Sequence, residues 1–101
     1  MEERFRIDGP RFEIARGTKD YPDAFEAVPE PPERLYVLGD PSALKEGLAV
    51  VGARKATPYG LNATKMLAGR AAELGVVVIS GGARGCDAAA HEAALAAGGQ
   101  T

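Results

Sequence analysis

With 101 residues the chain holds at most one small domain, and its 12 basic against 14 acidic side chains leave a formal charge of -2, which excludes broad electrostatic adhesion to nucleic acid or an anionic membrane. Cys86 stands alone, which excludes an internal disulfide or a cysteine-rich metal site and fits a reducing cytoplasm. Apolar runs of about five residues fall far short of the roughly 20 that span a bilayer, and the Met-Glu-Glu-Arg start lacks the layout of a signal peptide.

Along the chain, Phe5-Arg6-Ile7 and Arg11-Phe12-Glu13-Ile14-Ala15 alternate apolar and polar residues around Asp8-Gly9-Pro10. This predicts a β-hairpin or two short edge segments, an N-terminal hairpin or tail over residues 1–20. From Tyr21-Pro22 to Pro32 the prolines and acids predict a short helical turn around Asp23–Val28 and then an extended connector. Leu35-Tyr36-Val37-Leu38 is a strand closed by Gly39-Asp40-Pro41, and Leu48-Ala49-Val50-Val51 is another, ending at Gly52. Thr57 reads as an N-cap with Pro58 at the first helical position. Ala63, Met66, Leu67, Ala71 and Leu74 then recur on one helical face up to Gly75. Val76–Ile79 is a third strand without alternation, the pattern of a parallel strand covered on both faces. A second helix runs from about Asp87 to Ala97, before Gly98-Gly99. The order strand–helix–strand–helix implies an open α/β sheet over residues 21–101.

The richest stretch is residues 76–91, where an apolar run empties into a glycine-rich, arginine-bearing turn that opens onto a helix. Gly81, Gly82 and Gly85 let backbone amides approach a ligand, and the helix near Asp87 points its partly positive end at the same spot. Phosphate is the expected guest. Gly52-Ala53-Arg54-Lys55 leaves the preceding strand on the same side, so Arg54 and Arg84 converge on one crevice. Each guanidinium offers a fixed fork of donors to two phosphate oxygens, and Ser80 adds a hydroxyl. The alternative is that both arginines are solvated or pair with Asp87. The spacing lacks Gly-x-Gly-x-x-Gly, and no Gly-Lys-Ser/Thr follows, which excludes the dinucleotide fingerprint and the Walker loop.

Asp87 and His91 lie four apart on the predicted helix, where Asp87 caps the helix and holds one imidazole nitrogen while the other is left for the crevice or the sheet. A simple packed histidine is the alternative. Tyr59 either stacks on a base or packs against Ala63. With one histidine and one cysteine, no Ser-His-Asp, metal-ligand or paired-carboxylate arrangement is visible; the residues disfavour an enzyme and require no cofactor.

Tyr21-Pro22, then Pro31-Pro32-Glu33-Arg34-Leu35-Tyr36-Val37-Leu38-Gly39-Asp40, Val50-Val51-Gly52-Ala53-Arg54, Ser80-Gly81-Gly82-Ala83-Arg84-Gly85-Cys86-Asp87-Ala88-Ala89-Ala90-His91 and Gly98-Gly99 together resemble the DNA-processing protein DprA (Smf) family. The resemblance covers residues 19–101. It implies a Rossmann-like, three-layer αβα domain with a mostly parallel sheet, a non-enzymatic recombination mediator that binds single-stranded DNA and helps load RecA in natural transformation. It implies phosphate contacts from Arg54, Ser80, Gly81, Arg84 and Gly85, to which the reading of the two loops adds Gly52, Lys55 and Gly82, with structural support from Asp87 and His91. Cys86 stands where the family carries an aliphatic residue. Because the family fold continues with further α/β units that carry its homodimer surface, the expectation at Thr101 is a fragment or a truncated product that lacks that surface. Two other functions compete. One is a nucleotide-binding phosphoribohydrolase, whose Pro-Gly-Gly-x-Gly-Thr-x-x-Glu signature is absent from this sequence, and the other is a structural α/β interaction module.

Overall fold

The computed structural model describes residues 9–101, and the chain divides into two compact units between Leu44 and Lys45. The first unit contains β1 (Arg11–Ala15), α1 (Asp23–Glu26) and β2 (Arg34–Leu38). β1 and β2 pair antiparallel, with Phe12 opposite Val37 and Ile14 opposite Leu35. Alternation puts these four apolar side chains on one face, and Ile14 is buried there. The long connection is closed by Tyr21, whose hydroxyl donates to Pro32 O at 2.7 Å and whose ring meets Phe25 edge-on at 6.0 Å. Beside it the Arg16 guanidinium donates to the Glu26 carboxylate at 2.7 Å. That bond holds the Glu26 carboxyl below its ordinary range, while desolvation pushes the Tyr21 phenol up.

This arrangement corrects one expectation. Arg11–Ala15 is a strand, but its partner is Arg34–Leu38; the Phe5–Ile7 arm lies outside the described residues. β2 consequently belongs to a two-stranded antiparallel sheet with β1 and has no parallel neighbour among the described residues.

The second unit contains β3 (Gly47–Ala49), α2 (Pro58–Glu73), β4 (Val77–Ile79) and α3 (Cys86–Ala96). β3 and β4 pair in parallel with Leu48 opposite Val78, and the pairing continues where Val50 N–H donates to Ile79 O at 2.8 Å. On its other side β4 donates from Val78 N–H to Gln100 O at 3.0 Å, so the chain returns alongside this strand after α3. α2 begins as predicted, with Thr57 Oγ1 accepting from Gly60 N–H at 3.1 Å and Pro58 at the first position. Both helices end in the paired-carbonyl closure of a Schellman motif: Val76 N–H reaches Ala71 O, and Gly99 N–H reaches Ala94 O, each at 2.9 Å.

The core is made of small residues. Ala68, Ala71 and Ala72 of α2 meet Ala90 and Ala94 of α3 over Val78, with Val50, Ala93 and Ala97 against the cluster. Of the α2 face predicted from spacing, Ala71 is buried, but Met66, Leu67 and Leu74 are exposed. Thr64, Ala68, Ala71 and Ala72 recur at the same helical period, and α3 offers an alanine surface that only small partners can approach closely. Among the described residues no helix is long and apolar enough to cross a membrane.

Candidate functional site

Because β3 and β4 are parallel neighbours, the turns that leave their carboxyl ends emerge side by side. Ser80 ties the two exits together, its hydroxyl donating to Val50 O at 2.6 Å. Further out, Cys86 N–H donates to Ala53 O at 3.2 Å. Gly85 has φ +79°, and a Cβ there would lie 2.5 Å from Arg54 O and closer still to Ala53 O. A Cβ at Gly52 would lie 2.6 Å from Cys86 Cβ and Sγ. The two turns therefore interlock through backbone, and neither glycine has room for a side chain. Buried Cys86 acts here as a small apolar residue packed over Gly52.

The interlock brings the turn bearing Arg54 and Lys55 against the turn bearing Arg84. All three cations are exposed, and none has a carboxylate partner among the described residues. Of the alternative reading, the ion pair between Arg84 and Asp87 does not form, while the exposure of both arginines is what solvated side chains show. Gly82 faces open space, with nothing within 4 Å of where its Cβ would be.

Two expectations about α3 change. The helix starts at Cys86 with Gly85 in the N-cap position, so Asp87 lies in the first turn and makes no capping bond. Its carboxylate still sits favourably against the helix dipole. The first amide of the helix is already taken by Ala53 O, so this end is partly filled by the protein's own groups, and the positive character of the site rests on its side chains. His91 does not meet Asp87 either: Nε2 lies 2.9 Å from Gly81 O, and Nδ1 pairs with Thr101 Oγ1. A carbonyl only accepts, so this pairing assigns the proton to Nε2 and makes Thr101 the donor to Nδ1. Tyr59, in the first turn of α2, is 83% exposed and leaves its ring open to solvent. Ser80 is half-buried, and its proton serves Val50 O. Among the described residues no group of His, Cys, Asp or Glu is placed to hold a metal ion.

The sequence matches the family described as DNA recombination-mediator protein A over residues 13–101. It is 34% identical over 90 residues to the DNA processing protein DprA of Bacillus subtilis, covering 87% of this chain and 30% of that protein. It is 40% identical over 83 residues to the protein Smf of Escherichia coli, covering 81% and 22%. The fold resembles that of DNA processing protein A from Helicobacter pylori, a protein with a single-stranded DNA binding mode, at a TM-score of 0.74 and 37% identity, over 86% of this chain and 40% of the other. The DprA of Streptococcus pneumoniae gives 0.77 and 32%, over 86% and 31%. These likenesses give the α/β domain its Rossmann-like class. The chain spans less than a third of the length of these two curated relatives.

Proposed function

As the chain belongs to the DNA recombination-mediator protein A family, we propose that it binds single-stranded DNA by its phosphates at the interlocked turns 52–55 and 80–85. The observation that carries this reading is the trio Arg54, Lys55 and Arg84, exposed on two turns in backbone contact and unpaired among the described residues. A guanidinium fork matches phosphate oxygens, and in a chain of net charge -2 such a local cluster supplies the attraction that the whole surface does not. Gly81 and Gly82 contribute close backbone approach, Gly52 and Gly85 keep the turns joined, and Ser80 fixes the strand exits. Asp87 and His91 support the turn from α3. Tyr59 offers a ring on which a base stacks.

Contacts of this kind follow the backbone of the strand and read no base edges, so binding has little sequence preference. In this reading the chain does no covalent chemistry; it holds a strand in the cytoplasm for transfer to a recombinase such as RecA during uptake of DNA. The test is fluorescence anisotropy of labelled oligothymidine at about 20 mM salt, with AMP titrated separately. Binding of the oligonucleotide with a negative salt slope is expected. No binding of it, or tight binding of AMP alone, overturns the reading.

A further inference from the structure

α3 reaches the glycine turn with two side chains, one helical turn apart. A Cβ at Gly81 would lie 2.6 Å from Asp87 Oδ2, so the carboxylate packs directly on that residue, and His91 Nε2 donates to its carbonyl at 2.9 Å. The peptide between Gly81 and Gly82 is planar and trans, so its C=O and its N–H point in opposite directions. With the carbonyl bound toward α3, the planar trans peptide directs the Gly82 N–H away from the helix, and nothing lies within 4 Å of where a Gly82 Cβ would be. Two adjacent glycines are the pair of residues that lets a peptide unit rotate with least steric resistance. Such a rotation presents a carbonyl oxygen where an N–H stood, and a phosphate is repelled instead of bound.

We infer that His91 is a positioning residue that locks the Gly81–Gly82 peptide with its N–H outward, and that Thr101 sets the lock by holding the imidazole in the tautomer that donates from Nε2. The other tautomer places a lone pair against Gly81 O. Thr101 reaches the ring because the chain returns beside β4, where Val78 N–H donates to Gln100 O. The phosphate turn and the segment after α3 are thereby linked through one side chain. The inference rests on the proposed phosphate site for its functional consequence, but not for its geometry.

The test uses two readouts. The first is the amide resonance and hydrogen exchange of Gly82 in the unliganded chain, and the second is affinity for labelled oligothymidine at fixed low salt. His91→Phe keeps a ring but no donor; about tenfold weaker binding and a shifted, broadened Gly82 amide are expected. His91→Gln, which retains an N–H donor, recovers most of both. Thr101→Val weakens binding less than His91→Phe, while Thr101→Ser behaves as wild type. If His91→Phe fails to fold, the Thr101 pair and His91→Gln decide the matter by the same two readouts. Wild-type behaviour of Gly82 and of binding in His91→Phe, or in Thr101→Val where the first does not fold, overturns the inference, as does equal loss in the Gln and Phe variants. Absence of binding by the wild-type chain instead removes the proposed function, and the Gly82 amide still reports whether the lock exists.

Discussion

Cys86 donates its backbone N–H to Ala53 O at 3.2 Å, joining the first residue of α3 to the turn after β3. That bond forms only because the chain at Gly85 passes through φ +79°, with the backbone of Ala53 and Arg54 where a side chain would otherwise be. Gly85→Ala therefore carries two costs, a left-handed conformation and a clash with backbone that cannot swing aside. Each is of the order of 1–3 kcal/mol. Thermal or urea unfolding is expected to show a loss of at least about 2 kcal/mol. A change within about 0.5 kcal/mol would mean that the turns are not interlocked.

Arg54→Ala and Arg84→Ala are expected to leave unfolding unchanged, because both side chains are exposed and neither has an ion-pair partner among the described residues. Each should weaken oligothymidine binding by about 1.5–3 kcal/mol if the guanidinium makes a charge-assisted contact. The plot of log affinity against log salt should have a slope of about two to three ions in the wild type and lose about one in each variant. Anisotropy titrations at three salt concentrations measure both quantities; unaltered affinity and slope in both variants remove the crevice.

The adjacency of the two candidate turns was more legible in the sequence than the packing beneath it. Glycines at the ends of successive apolar runs mark turns, and parallel strand order places those turns on one side, so the adjacency of 52–55 and 80–85 could be read from residue types and strand order. On α2 two stripes fit one period and share Ala71. Hydrophobicity favours Met66, Leu67 and Leu74, yet α3 presents alanines, and close approach selects Ala68, Ala71 and Ala72. The partners of His91 were out of reach for another reason. Gly81 is ten residues before it and Thr101 ten after it, and only the return of the chain beside β4 brings Thr101 to the ring. The antiparallel pairing of β1 with β2 spans a connection of 18 residues from Arg16 to Glu33, which no local turn signal encodes.

Acid is expected to weaken the closure between β1 and β2. The hydrogen bond from Arg16 lowers the Glu26 pKa in the folded chain, so the contribution is present above the ordinary carboxylate range and is lost as the pH falls through the folded-state value. Melting temperatures recorded from about pH 7 to pH 3 should fall more steeply for the wild type than for Glu26→Gln, which cannot ionise. Because the pair is exposed the difference is small and should shrink in high salt. Parallel curves for the two proteins would show that this ion pair contributes nothing to folding.

The last expectation concerns the surface that the alanine core leaves outside. Met66 is 69% exposed, Leu67 59%, Leu74 64% and, on α3, Leu95 64%. Tyr59 and Ala63 lie on the same side of α2 as Met66, Leu67 and Leu74, so α2 carries a second apolar stripe, interrupted by Arg70, beside its buried one. β3 adds three exposed residues with Leu48 among them. Surfaces of this kind associate when nothing covers them. Sedimentation across a concentration series should therefore show concentration-dependent association of the 101-residue chain. The triple variant Met66→Gln, Leu67→Gln, Leu74→Lys should shift it toward monomer without loss of helix signal, because none of the three side chains belongs to the core cluster. A wild-type chain that stays monomeric on concentration and melts cooperatively at about 45–65 °C would show that this stripe is no association surface.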